Sequence, residues 1–141
     1  MSRIIAMIPT YNEAENIWSL IDAVLALGPQ YEVLVVDDHS PDGTWRIVRE
    51  RAGRDPRIHL LHRMRRRGRG LAGIAGFREA LRLGADLVVE MDADWSHDPA
   101  RIPALVEAAR RADLVIGSRR VAGGGETGRG AARRAITRPA P

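Results

Sequence analysis

Short unbroken apolar runs alternate along the chain with stretches whose apolar residues recur at helical spacing. Residues 3–8 give the first run, with Ile4, Ile5, Ala6, Met7 and Ile8 reading as a buried strand. Residues 13–27 then place Ile17, Leu20, Ile21, Val24 and Leu25 on one helical face, and Gly28-Pro29 ends the pattern. Residues 31–36 predict a second strand, 44–52 a helix carrying Trp45, Ile47 and Val48, and 57–61 a third strand. A basic loop over 63–69 leads into a helix over 70–83 and a fourth strand over 85–91. A helix over 99–111, with Pro103 near its first turn where proline is tolerated, precedes a short fifth strand over 114–116.

Strict alternation of strand and helix predicts an α/β fold of parallel β-α-β units. Strands that are apolar on consecutive positions need cover on both faces, which places helices on both sides of the sheet. Ligands of such sheets sit beyond the carboxyl ends of the strands. Chemistry is therefore expected in the loops after the first, second, fourth and fifth strands. From Gly123-Gly124-Gly125 onward the chain is rich in Gly, Arg and Pro and loses its periodicity, so a poorly ordered tail is expected over 123–141.

Composition narrows the function classes. The 141 residues are enough for one domain with its own core. The absence of cysteine excludes disulfides and thiolate metal sites. The apolar start is interrupted by Pro9 too soon for a signal peptide, and no run approaches the length of a spanning helix. The net charge is +4, and all 22 basic residues are arginine. They gather at Arg63, Arg65, Arg66, Arg67 and Arg69, and again from Arg119 to Arg138. Guanidinium forks suit phosphate. Nucleic acid competes on charge alone, but six aromatic residues offer no stacking platform, and no nucleic-acid partner is expected.

Three loops carry candidate chemistry. In Pro9-Thr10-Tyr11-Asn12-Glu13, Thr10 or Asn12 can cap the following helix, while Tyr11 offers a ring and hydroxyl to a base or ribose. In the second loop Asp42-Gly43 and Ser40-Pro41 are turn chemistry, which leaves Asp37-Asp38 unexplained. Adjacent carboxylates at the end of a buried strand repel unless a ligand hydroxyl, amide or metal relieves them. In the fourth loop Asp92 and Asp94 lie two apart, so an extended chain turns both to one face and toward one cation. Carboxylate oxygens suit Mg²⁺ or Mn²⁺ and leave positions for phosphate. Helix capping by Asp94 or Ser96 is the bland alternative, and His97 is as readily a loop histidine as a ligand. Gly68-Arg69-Gly70-Leu71-Ala72-Gly73 fits the dinucleotide fingerprint, with Glu90 about 20 residues on. That rival leaves both aspartate pairs without a role.

Taken in order, these pieces resemble family 2 glycosyltransferases, in particular the dolichol-phosphate or polyprenol-phosphate mannose synthases. The resemblance rests on Pro9 to Glu13, Val35 to Thr44, Gly68-x-Gly70-x-Ala72 with Gly76, Glu90 to Asp94 with Ser96 to Pro99, Gly117-Ser118-Arg119 and Gly123 to Gly125. It implies a Rossmann-like GT-A nucleotide-diphospho-sugar transferase fold with a mostly parallel sheet, forming a nucleotide-sugar-binding domain over 1–122. It also implies that Pro9, Tyr11, Glu13, Val36 and Asp38 hold the nucleoside, with Asp37 beside them. Asp92 and Asp94 would bind Mg²⁺ or Mn²⁺, the Ala93 backbone would lie near the donor, and Asp94 and Arg119 would serve catalysis, Arg119 facing phosphate. The implied donor is a nucleotide sugar, usually GDP-mannose, and the implied acceptor a lipid phosphate at the membrane surface. The implied location is peripheral, on the cytoplasmic face of the membrane, with room for a membrane-anchoring partner protein. An ionised phosphate nucleophile needs no general base, and in-line attack inverts the anomeric centre.

The chain departs from the family's pattern in places. Arginine stands where the family often has lysine after the third strand and leucine between the two glycines, and Arg120 stands where it has tyrosine. Relatives continue for many tens of residues past the point reached by Pro141. The expectation is an intact donor half and a truncated acceptor half, with a nucleotide-sugar-binding module lacking turnover as the alternative. A dinucleotide-binding oxidoreductase is the remaining rival.

Overall fold

A computed structural model describes residues 2–125. Four strands form one parallel sheet: β1 (Ile4–Thr10), β2 (Tyr31–Asp37), β3 (Ile58–His62) and β4 (Leu87–Glu90), in the order β3-β2-β1-β4. The connecting helices are α1 (Ile17–Leu25), α2 (Thr44–Ala52) and α3 (Arg69–Arg82), and α4 (Ile102–Ala108) follows β4. The chain lays down β1, β2 and β3 outward in one direction, then returns to place β4 on the other flank of β1. The reversal lies between β1 and β4, the position where open parallel sheets leave a crevice.

Side chains alternate across β1, and the two faces have separate cores. Ile4, Ala6 and Ile8 pack with Ile17, Leu20, Ile21 and Val24 of α1 and with Val48 of α2. Ile5 and Met7 face the other way, with Leu34 and Val36, onto Ala72 and Ala80 of α3. Every one of these residues is buried, which is why β1 and β2 read as continuous apolar runs. On α3 the buried positions are Ala72, Gly73, Gly76 and Ala80, so the helix backbone lies close against the sheet. A Cβ at Gly76 would stand 2.7 Å from Met7 Sδ and 2.9 Å from Val36 Cγ2, an approach that only glycine permits.

Some boundaries differ from those the pattern predicts. The residues 114–116 expected as a fifth strand are not in the sheet; Leu114 and Ile116 are 77% and 78% exposed. Three apolar residues make too few ladder bonds to hold a sheet edge without packing on both faces, and the face carrying Leu114 and Ile116 is uncovered here. The helix expected over 99–111 is a short α4 between 3-10 turns at Pro99–Arg101 and Ala109–Arg111. The first helix begins at Ile17 rather than residue 13, after a turn in which Glu13 O accepts from both Asn16 N and Ile17 N.

Pro9 and Thr10 belong to β1 rather than to the loop after it. Met7 O accepts from Met91 N on the β4 side, and Thr10 O from Asp38 N on the β2 side. Position 9 therefore points to the β4 side, where pairing has already ended at Met7 with Glu90. The missing N–H of proline falls where no ladder partner exists. The expected tail over 123–141 lies outside the described residues from 126 onward.

Candidate donor site at the carboxyl edge of the sheet

β1 runs on past the end of β4, and the chain after β4 turns away from it. A cleft of about 480 Å³ opens at this divergence. One wall comes from β1 and its loop, with Pro9, Thr10, Tyr11 and Glu13; the other from Asp92, Ala93 and Asp94. Asp38 after β2 and Arg67, Gly68, Arg69 and Ala72 at the start of α3 close the third side. The acidic loops after β2 and β4 thus meet at one cavity, as their places beside β1 require.

The two aspartates at the end of β2 do different things. Asp37 is fully buried, and its oxygens accept from Thr10 Oγ1 at 2.8 Å, Ser40 N at 2.9 Å and Ser40 Oγ at 2.6 Å. A carboxylate with three aligned donors is satisfied by the protein and fixes the loop's path. Asp38 faces the cleft. Its Oδ1 lies 2.5 Å from Arg63 Nη1, and its Oδ2 accepts from Gly68 N at 2.7 Å. The Asp38 and Arg63 side chains are 9% and 11% exposed, so the pair is largely shielded from water.

A lattice of loop hydrogen bonds holds the first two loops together. Ser40 Oγ accepts from Asn12 N at 2.9 Å, and Thr44 Oγ1 accepts from Glu13 N at 3.0 Å. Asp42 accepts from Ala14 N, Thr44 N and Thr44 Oγ1. Those donors outweigh its burial and hold its carboxyl below the usual range. Asn12, His39, Arg66 and Trp95 all have positive φ, one in the loop after each strand. Bulky residues adopt that conformation only where surrounding contacts over-determine the backbone. Beside the cleft, His39, Trp45 and His62 stack with ring centroids 4.4 to 5.9 Å apart, and His39 Nδ1 lies 2.7 Å from His62 Nε2.

The loop after β4 carries the cation-seeking side. Asp94 accepts from Ser96 N at 3.0 Å, and hydrogen bonding from the Ser96 side chain and backbone holds its carboxyl below the usual range. Asp92 N donates to His97 Nδ1 at 3.1 Å, so His97 shapes the loop. Asp92 Oδ1 is buried and receives no aligned hydrogen bond, although Arg69 Nη1 lies 2.5 Å away. The guanidinium offers that oxygen charge without a directed bond. A buried carboxylate oxygen left in this state, with a second carboxylate two residues on, fits a divalent cation. Among the described residues no three His, Asp or Glu side chains gather into one metal cluster. The pair would leave the remaining positions of such an ion to phosphate and water.

Of the residues singled out in the sequence, Pro9, Tyr11, Glu13, Asp38, Asp92, Ala93 and Asp94 line the cleft. Val36 does not; its side chain is in the core under α3. Asp37 does not; it is spent inside its loop. Arg119 lies in an exposed turn outside the residues that line the cleft. The sequence places Arg63 in an arginine cluster suited to phosphate and Ser40 in a turn, but does not give the pairing of Arg63 with Asp38 or the bonds by which Ser40 joins two loops. An arginine directly after the third strand, as Asp38 directly follows the second, was the available signal for the first, and a serine two residues after paired aspartates for the second. The glycines that fit a dinucleotide fingerprint follow edge strand β3 rather than central β1, and Gly68 N is engaged by a carboxylate.

The family model described as Glycosyl transferase family 2 matches residues 5–140. An undecaprenyl-phosphate mannosyltransferase of Micrococcus luteus is 53% identical over 122 residues, 86% of this chain and 50% of that protein. A polyprenol monophosphomannose synthase of Mycolicibacterium smegmatis is 48% identical over 124 residues, 86% of this chain and 47% of its own length. The chain therefore spans about half the length of these curated relatives. Among solved structures, a mannosyltransferase from Pyrobaculum calidifontis in complex with GDP-Man and Mn²⁺ superposes with a TM-score of 0.60 at 28% identity, covering 84% of this chain and 36% of that one.

Proposed function

The chain belongs to glycosyl transferase family 2 and has its GT-A fold, and on that premise we propose that it is the donor-binding part of a metal-dependent transferase. The reaction is transfer of a hexose, mannose from GDP-mannose in the first instance, to a polyprenyl phosphate with inversion. The observation that carries this reading is the single cleft into which the loops after β1, β2 and β4 all bring their polar residues. The mannosyltransferase and monophosphomannose synthase activities of the Micrococcus luteus and Mycolicibacterium smegmatis relatives, and the GDP-Man and Mn²⁺ of the Pyrobaculum calidifontis structure, support it.

In this reading Pro9, Tyr11, Glu13 and Asp38 hold the nucleoside, and Asp37 acts from beneath as the post that fixes their loop. Asp92 and Asp94 hold Mg²⁺ or Mn²⁺, and the Ala93 backbone lies along the donor. Such an ion supplies positive charge where the leaving diphosphate gathers negative charge. Arg119 meets phosphate, of the donor or the acceptor. The aspartates need not take a proton from the acceptor, since a phosphate monoester is already ionised at pH 7. Residues 1–122 form the donor domain. The arginine clusters give a peripheral contact with the cytoplasmic face of the membrane, where a membrane-anchoring partner protein can add to it. Among the described residues no helix is long and apolar enough to cross a membrane.

A second reading is a module that binds nucleotide sugar without turnover. Calorimetry with GDP-mannose and Mn²⁺, followed by a transfer assay on polyprenyl phosphate, separates the two. Binding with transfer supports the enzyme, and binding alone supports the module. Asp92→Ala should abolish metal-dependent donor binding; undiminished binding in that variant refutes the assignment of the site.

A further inference from the structure

The first turn of α3 carries a cation into the acidic side of the cleft. Arg69 Nη1 lies 2.5 Å from Asp92 Oδ1, and Nη2 lies 3.9 Å from Glu90 Oε1. The pairing lacks an aligned hydrogen bond to the buried oxygen, so it misses the directed fork that makes arginine–carboxylate pairs strong. The Arg69 side chain is 59% exposed against 28% for Asp92, so the cation end of the pair is open to water and can exchange. Nothing lies within 4 Å of where a Cβ would stand on Gly68 or Gly70, so the turn around Arg69 is open. The residues that pack α3 onto the sheet are Ala72, Gly73, Gly76 and Ala80. The guanidinium can leave Asp92 without disturbing that packing.

We propose that Arg69 is a resident counter-cation that competes with the divalent metal for Asp92 and is handed to the donor's diphosphate when metal and donor bind together. The inference rests on the reading of Asp92 and Asp94 as metal ligands. A divalent ion and a guanidinium on one carboxylate oxygen repel each other, so the ion displaces the side chain. A diphosphate arriving at the same cleft gives the displaced guanidinium a better-matched partner. Metal and nucleoside diphosphate therefore favour each other's binding, and part of that coupling belongs to Arg69.

The test is Mn²⁺ binding to the chain, read from the paramagnetic resonance of the free ion, with no acceptor and no turnover. Wild type, Arg69→Leu, Arg69→Lys and Asp92→Asn are titrated with and without GDP. Arg69→Leu should bind Mn²⁺ about fivefold more tightly than wild type in the absence of GDP. Arg69→Lys should stay within about twofold of wild type, because the charge is kept. GDP should tighten Mn²⁺ binding more in wild type than in Arg69→Leu. Unchanged or weaker affinity in Arg69→Leu, with Asp92→Asn still abolishing binding, overturns the inference and leaves the site reading standing. Mn²⁺ binding that Asp92→Asn does not reduce, or that is absent from wild type and Arg69→Leu even with GDP, overturns both.

Discussion

Asp38 Oδ2 accepts the backbone N–H of Gly68 at 2.7 Å, so one carboxylate joins the loop after β2 to the start of α3. Its other oxygen holds Arg63. Two segments distant in sequence, the end of β2 and the loop between β3 and α3, are thereby joined beside the cleft.

Asp38→Ala should therefore act on stability as well as on ligand binding. It leaves the Arg63 guanidinium, 11% exposed, without its carboxylate. Breaking a buried pair by removing one partner costs about 3 kcal/mol. Urea unfolding should show that loss, and the double variant Asp38→Ala with Arg63→Met should recover part of it. A single variant as stable as wild type would mean that the pair is solvated in solution.

Gly76→Ala tests the contact of α3 with the sheet. The added methyl meets Met7 Sδ and Val36 Cγ2 inside 3 Å. Overpacking of this kind costs about 1–3 kcal/mol. Thermal unfolding should show a lowered Tm, partly restored when Met7→Val is added. Full stability in the single variant would show that Met7 yields freely.

Ser40→Ala removes a hydroxyl that donates to buried Asp37 and accepts from Asn12 N. About 1 kcal/mol of stability should be lost, because buried Asp37 loses one of its donors and the Asn12 N–H its acceptor. Hydrogen exchange at Asn12 and Asp38 should quicken, and donor affinity should fall although residue 40 does not line the cleft. Unaltered exchange at both amides would separate Ser40 from the loop lattice.

The stack of His39, Trp45 and His62 gives the stability a pH dependence of known sign. Burial, then the charge of His39, push the His62 pKa below its ordinary 6.5. The unfolded chain therefore binds a proton there more readily than the folded one. Stability from this group is complete above about pH 6.5 and declines as pH falls below the unfolded value, levelling once the folded-state pKa is passed. His62→Phe should keep the ring stack and flatten the slope between pH 7 and 5 in thermal melts. An undiminished slope would place the titration on another group.

The strand and helix runs were legible because burial on both faces of β1 and β2 writes continuous apolar sequence, and because α1 writes a helical stripe. Those patterns are local, and they fixed the α/β class, the order of elements and the strand ends at which to look. The acidic positions were visible because paired carboxylates at strand ends require an explanation. Their division of labour was not visible. Asp37 and Asp38 are neighbours in sequence, yet the alternation of the chain turns one into the loop and the other into the cleft. Which cations oppose the acids depended on where α3 lands, and that is set by Gly76 against Met7 and Val36. The failed strand at 114–116 has the same cause: apolar residues announce a wish for burial, and only long-range packing decides whether it is met.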